Sequence, residues 1–173
     1  VSNAGGLGVM GASSVGPRAL RNWIHRCRDL TDKPFGIDTL LPASVRRGTN
    51  LAPMSNGPLP QDLIPEYQAM VSSFLDQQGI PIADNKEIWP EEDGPPLFSK
   101  EFFESQMDII IDEKVPIYVS GLGNPGPWVE RIHSYGGKVM AVVGAVRHAR
   151  QVVEAGIDAV IAQGHDGGGH NSP

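Results

Sequence analysis

The chain has 173 residues, enough for one domain, and its formal net charge of −6 removes the electrostatic case for nucleic acid or an anionic membrane as a partner. Cys27 is the only cysteine, which excludes an internal disulfide and fits a reducing, cytoplasmic compartment. No apolar run approaches the roughly 20 residues a membrane helix needs, and no basic-then-apolar leader opens the sequence.

In chain order, Gly6 to Gly11 is glycine-rich and apolar and predicts a short strand around Leu7 to Met10. Pro17 suits the first position of a helix, where its missing N–H costs nothing. From Arg18 to Leu30, the residues Leu20, Trp23, Ile24, Cys27 and Leu30 recur at three- and four-residue spacing, so an amphipathic helix is expected. Thr31-Asp-Lys-Pro34 ends it, and Phe35 to Leu41 follows as a strand closed by Pro42.

Ala43 to Pro96 differs in composition, with many of the prolines and the polar breaks Arg46-Arg-Gly48 and Glu91-Glu-Asp-Gly94. Gln61 to Gln78 within it has helical spacing, through Leu63, Ile64, Tyr67, Met70, Val71, Phe74 and Leu75. The stretch reads as an insertion carrying one helix, either covering a site from one side or standing out as a surface excursion.

Ser99 is a candidate N-cap for a helix reaching Lys114, with Phe102, Phe103, Met107, Ile110 and Ile111 as its buried stripe. Beyond it, strand and helix alternate with short connections: a strand at Pro116 to Ser120, a helix at Pro127 to Tyr135, a strand at Lys138 to Val143, a helix at Val146 to Ala155, and a strand at Ile157 to Ala162. Repeated βα units predict a parallel sheet. The runs Ile117-Tyr-Val119, Val139 to Val143 and Ala159 to Ala162 are apolar on both faces, as a covered sheet or a closed barrel requires.

The chemistry is expected at Gly156-Ile-Asp-Ala-Val-Ile-Ala-Gln-Gly-His-Asp-Gly-Gly-Gly-His170, where a β-branched run gives way to a polar loop. Gln163 puts an amide at the strand's end, and His165, Asp166 and His170 surround the glycines Gly167 to Gly169. Glycines let a backbone approach a flat or anionic ligand, and α/β folds place active sites at the C-terminal ends of strands. Two stretches match Gly-x-Gly-x-x-Gly, at Gly6 to Gly11 and Gly121 to Gly126. The second follows a strand, but the next strand ends at Val142-Val-Gly144 without the acid a dinucleotide ribose requires, so a tight strand-to-helix turn is the plainer reading. His165, Asp166 and His170 fit no zinc spacing, so no metal is expected. His25, His133 and His148 lie on helices among polar residues and read as solvated. His170 is left either as a lone acid–base group working near neutral pH or as a loop histidine of no consequence.

Three ordered stretches carry a resemblance: Ser2-Asn-Ala-Gly-Gly-Leu-Gly8, Thr31-Asp-Lys-Pro-Phe-Gly-Ile37, and Gly156 to His170. Together they resemble the nitronate monooxygenases, formerly called 2-nitropropane dioxygenases, and Gly121-Leu-Gly-Asn-Pro125 looks like the related flavin-dependent enoyl-ACP reductases. The resemblance implies an FMN enzyme on a (β/α)8 TIM barrel, acting on a small molecule with oxygen. This chain would be an incomplete part of that barrel over 1–173, interrupted by the insertion at 43–96. It implies His170 as the catalytic histidine and Gln163 and Gly168 as flavin contacts, with the Gly167 and Gly169 backbone beside the ring. The family's loop usually reads Gln-Gly-x-Glu-Ala-Gly-Gly-His, so Asp166 stands here for the glutamate and Gly167 for the alanine. Asp38 falls where the family usually has a flavin-contacting asparagine, and a carboxylate cannot donate the hydrogen bond of an amide. The reaction is expected to be oxidation of nitronates or nitroalkanes. The alternatives are NAD(P)H-dependent enoyl-ACP reduction and an inactive truncated piece, whose exposed edge could make it a homo-oligomer. The family's glycine-rich phosphate loops are not matched, so the piece by itself is expected to bind FMN weakly.

Overall fold

The strand segments pair in the order in which the chain makes them. In a computed structural model, which describes residues 1–41, 60–81 and 94–167, β1 (Gly8–Gly11), β2 (Phe35–Leu40), β3 (Ile117–Leu122), β4 (Lys138–Val143) and β5 (Ala159–Ala162) form one parallel sheet in the order β1-β2-β3-β4-β5. Each is reached from the last by a crossover, as parallel pairing demands. The helices are α1 (Pro17–Leu30), α2 (Pro60–Gln78), α3 (Lys100–Asp112), α4 (Gly126–His133) and α5 (Val146–Glu154).

The core fixes which face the helices cover. Leu20 and Ile24 of α1, Phe102, Met107 and Ile110 of α3 and Ile132 of α4 are fully buried together with Ile37, Tyr118 and Val139 of the sheet. Val152 of α5 continues that layer over Ala141 and Val143. Side chains alternate across a strand, so these sheet residues all point one way. Each fully buried aliphatic or aromatic side chain contributes about 1.5–3 kcal/mol. Helices on one face and strands in sequential order are the arrangement of a β/α barrel; a doubly wound sheet reverses its strand order and carries helices on both faces. The protein is a partial barrel, as expected.

Local chemistry explains the helix ends. Pro17 occupies the first turn of α1. The Ser99 hydroxyl caps α3 by accepting from the Phe102 N–H at 3.1 Å. At the other end of α3, Lys114 takes the left-handed conformation (φ 46°) that ends many helices, and Pro116 prevents continuation.

One expectation fails. The strand at the end of the series is short and half open: Val160 is 37 % exposed, and Val9 on β1 is 44 % exposed. Both lie on edge strands of the sheet, Val160 on the helix side in register with Ala141, and Val9 on the opposite face in register with Gly36. The apolar character of Val9 suits a barrel interior.

The chain divides into two compact units, Val1–Arg46 with Glu87–Pro173, and Arg47–Lys86. Helix α2 belongs to the second, within the stretch read as an insertion, and Tyr67, Met70, Val71 and Phe74 of its apolar stripe are exposed. Among the described residues no helix is long and apolar enough to cross a membrane.

Candidate functional site

The C-terminal strand ends bring together the end of β2 and the described parts of the loops after β1, β3 and β5. The loop after β1 is held from behind. Gln106, fully buried on α3, donates through Nε2 to the carbonyls of Ala12 (2.7 Å) and Val15 (2.8 Å), and its Oε1 is buried with no partner. The Ala12 N–H donates to the Asp38 carbonyl at 2.8 Å, tying that loop to β2.

Asp38 is one residue past Ile37, so its side chain leaves the sheet on the face opposite the helices. Its register neighbours are Gly11 and Val119. The Oδ1 atom is buried without a hydrogen-bond partner, and no Lys, Arg or His among the described residues pairs with the carboxylate. Burial pushes its pKa up to about 6, with the Gly121 backbone N–H pulling the other way. On the helix side of the sheet, the Tyr118 hydroxyl bonds Thr39 Oγ1 at 3.0 Å; burial, with Asp38 nearby, raises the Tyr118 pKa.

Strand β3 makes room for that carboxylate. The β2–β3 register slips between Thr39 and Leu40: Thr39 faces Ser120 and Leu40 faces Leu122, which leaves Gly121 as the extra residue of a bulge. A Cβ on Gly121 would lie 2.6 Å from Asp38 Oδ1. Two residues on, Gly123 has φ 101°, and a Cβ there would lie 1.5 Å from the Leu41 carbonyl oxygen. The Ser120 hydroxyl donates to the Gly123 carbonyl at 3.0 Å, and Asn124 Oδ1 accepts from the Gly126 N–H at 2.9 Å. The Gly121 to Gly126 motif is therefore a tight turn feeding α4, with Gly121 and Gly123 set by the approach of Asp38 and Leu41.

After β5, the Gln163 N–H donates to the Val143 carbonyl at 2.9 Å and carries the β4–β5 ladder into the loop. Gln163 is half buried; Gly167 folds back over it, its N–H donating to the Gly164 carbonyl at 3.1 Å, and a Cβ on Gly167 would lie 2.9 Å from Gln163 Cγ. His165 and Asp166 are fully exposed and 3.3 Å apart. Gly168, Gly169 and His170 lie outside the described residues.

The opposite end of the sheet holds charge clamps. Glu113 receives Arg21, Arg28 and His25, the last at 3.0 Å; burial acts to raise its pKa, and these three partners outweigh it and lower it. Asp158 takes Lys138 Nζ, the Val139 N–H and His133 Nε2, each at 2.8 Å. Burial works against its charge, and the three donors still hold its pKa down at about 2. His25 and His133 thus hydrogen-bond carboxylates at the surface, where the sequence predicts only solvation. A shallow cavity of about 410 Å³, lined by Arg28, Lys33, Phe35 and Lys114, also opens at this N-terminal end, where barrels carry stability.

The family model for nitronate monooxygenase matches residues 1–173. The chain belongs to the nitronate monooxygenase family. A Mycobacterium tuberculosis protein bearing the name monooxygenase is 32 % identical over 176 residues, covering 98 % of this chain and 45 % of its own length. A Staphylococcus aureus (strain N315) protein bearing the name nitronate monooxygenase is 26 % identical over 172 residues, covering 98 % of this chain and 42 % of itself. Among solved structures, a FabK mutant from Thermotoga maritima superposes with a TM-score of 0.63 at 28 % identity, over 99 % of this chain and 39 % of its own. A nitroalkane oxidase from Streptomyces ansochromogenes shares the fold, with a TM-score of 0.63 at 24 % identity over 99 % of this chain and 43 % of its own. The chain spans under half the length of these relatives. Nitronate monooxygenases are flavin-dependent oxidoreductases, and the strand-end face fits a flavin in two respects. Asp38 Oδ1 is a buried polar atom without a partner, and Gly121 leaves bare backbone beside it.

Proposed function

We propose that this chain forms the front and middle of an FMN-dependent enzyme that oxidises nitronates and nitroalkanes with molecular oxygen. The observation that carries the reading is the family membership joined to an open, polar strand-end face of a partial barrel. Gln163, Asp38 and the backbone of Gly167 to Gly169 hold the flavin in this reading. When bound, FMN supplies the electron acceptor for the substrate carbon and hands the electrons on to oxygen.

His170 is the acid–base residue. The carbon next to a nitro group carries an acidic hydrogen, and an imidazole, with a pKa near the working pH, removes it as the C–H bond breaks. The product of that step is the nitronate, so a nitronate supplied directly bypasses it. His165 is a spectator: its exposed ring is engaged by Asp166. The enzyme works in the cytoplasm on small molecules.

The test is His170→Asn in the complete protein, with flavin content equalised. Turnover of a neutral nitroalkane falls by about 10²–10⁴-fold, while turnover of pre-formed nitronate falls much less. Equal activity of mutant and parent on the neutral nitroalkane removes His170 from the mechanism. A second reading rests on Gly121-Leu-Gly-Asn-Pro125, which resembles the enoyl-ACP reductases; it predicts NAD(P)H oxidation with crotonyl thioesters.

A further inference from the structure

Asp38 is an odd residue for its place. It is a carboxylic acid in an otherwise uncharged strand, it has one oxygen buried and unpartnered, and no cation faces it among the described residues. From β3 it meets the Gly121 backbone N–H and, across the sheet, the neutral Tyr118 hydroxyl, which is already bonded to Thr39. From β1 it meets Gly11 and the Ala12 amide, whose N–H is committed to the Asp38 carbonyl. None of these supplies a positive charge. A flat ring laid over the strand ends would strip further water from the carboxyl without bringing one. Desolvation without a counter-charge favours the neutral acid. The neutral acid is a donor, whereas the carboxylate only accepts. Gly121, kept bare by the bulge, leaves the carboxyl no side chain to turn against.

We propose that Asp38 is a proton-carrying hydrogen-bond donor, which engages an acceptor atom of the flavin ring as a neutral acid, so that flavin binding takes up one proton at this side chain. The inference rests on the flavin reading above and adds a regulation to it: cofactor affinity is tied to pH through one residue. The sign follows from linkage. The ligand-free acid titrates at about pH 6 and the flavin-bound acid higher. Affinity is therefore greatest at and below about pH 6 and weakens by up to about tenfold per pH unit until the bound-state value is passed.

The experiment measures FMN dissociation constants of the complete protein and of Asp38→Asn between pH 5.5 and about 8.5, reading the difference in slope so that titration of the FMN phosphate cancels. The expected result is a parent affinity that weakens with pH relative to the variant by about tenfold or more over the range, with the amide variant still binding. In parallel, carbon-13 carboxyl resonances of the parent, with and without flavin, follow Asp38 directly should the variant misfold; its midpoint should rise on binding. Identical slopes in the two proteins, or an Asp38 carboxylate still ionised at pH 7 in the complex, overturn the inference and leave the flavin reading standing. No flavin bound by either protein at any pH overturns both.

Discussion

The Asp38 carboxyl rests against the bare Cα of Gly121: a Cβ there would lie 2.6 Å from Oδ1 and 3.1 Å from Oδ2. The two residues belong to adjacent strands, and the β3 bulge sets Gly121 at that spot. Gly121→Ala should thus cost about 1–3 kcal/mol by overpacking. Combining it with Asp38→Ser should recover much of that loss. Urea unfolding of the two single variants and the double variant checks this, and strict additivity would show that the contact is not the cause.

Asp38 also marks the stability of the flavin-free protein. Its folded pKa, about 6, lies above the unfolded value of 3.8. Stability from this group is fully present below about pH 4 and is lost as pH rises through 6. The parent should therefore lose stability relative to Asp38→Asn between those values and run parallel to it above about pH 7. Denaturation midpoints of both proteins across that range decide the matter.

Asp158 has the opposite sign. Its pKa is held at about 2 against 3.8 in the unfolded chain. Its contribution is present above about pH 4 and disappears as pH falls through 2. Asp158→Asn should lower stability by about 1–2 kcal/mol at pH 7, once solvent screening of its partly exposed partners is discounted, and by little near pH 2. Thermal unfolding at the two pH values measures the difference.

Gln106→Leu keeps the shape of a buried side chain and removes both hydrogen bonds to the loop after β1. It leaves the Ala12 and Val15 carbonyls without those donors, at a cost of about 2–4 kcal/mol. Amide exchange should speed up in residues 12–16 more than in the α3 helix; uniform acceleration would show that Gln106 does not hold that loop.

Periodicity made the elements legible. The α1 stripe at Leu20 and Ile24 and the α3 stripe at Phe102, Phe103, Met107 and Ile110 are buried as their spacing predicts, and the βα alternation predicts the parallel sheet. Contacts between distant segments were less legible. Gln106 was readable in part: it falls between Phe102 and Ile110 on the apolar face, and a polar residue there signals a buried hydrogen bond. Asp38 stood out only through the family resemblance, because its burial depends on a bulge in β3, far along the chain from β2. The partners of His25 and His133 are likewise remote in sequence, which hid the Glu113 and Asp158 clamps. The openness of β5 was unreadable because an apolar run does not reveal whether its outer face is covered.

Oxygen uptake by the flavin-loaded complete protein, with propionate-3-nitronate and with a neutral nitroalkane and no NAD(P)H, tests the central claim most directly. The account predicts uptake with both, and selective loss of the nitroalkane reaction in His170→Asn. No uptake with either substrate, together with NAD(P)H oxidation that depends on a crotonyl thioester, would contradict it and assign the barrel to enoyl reduction.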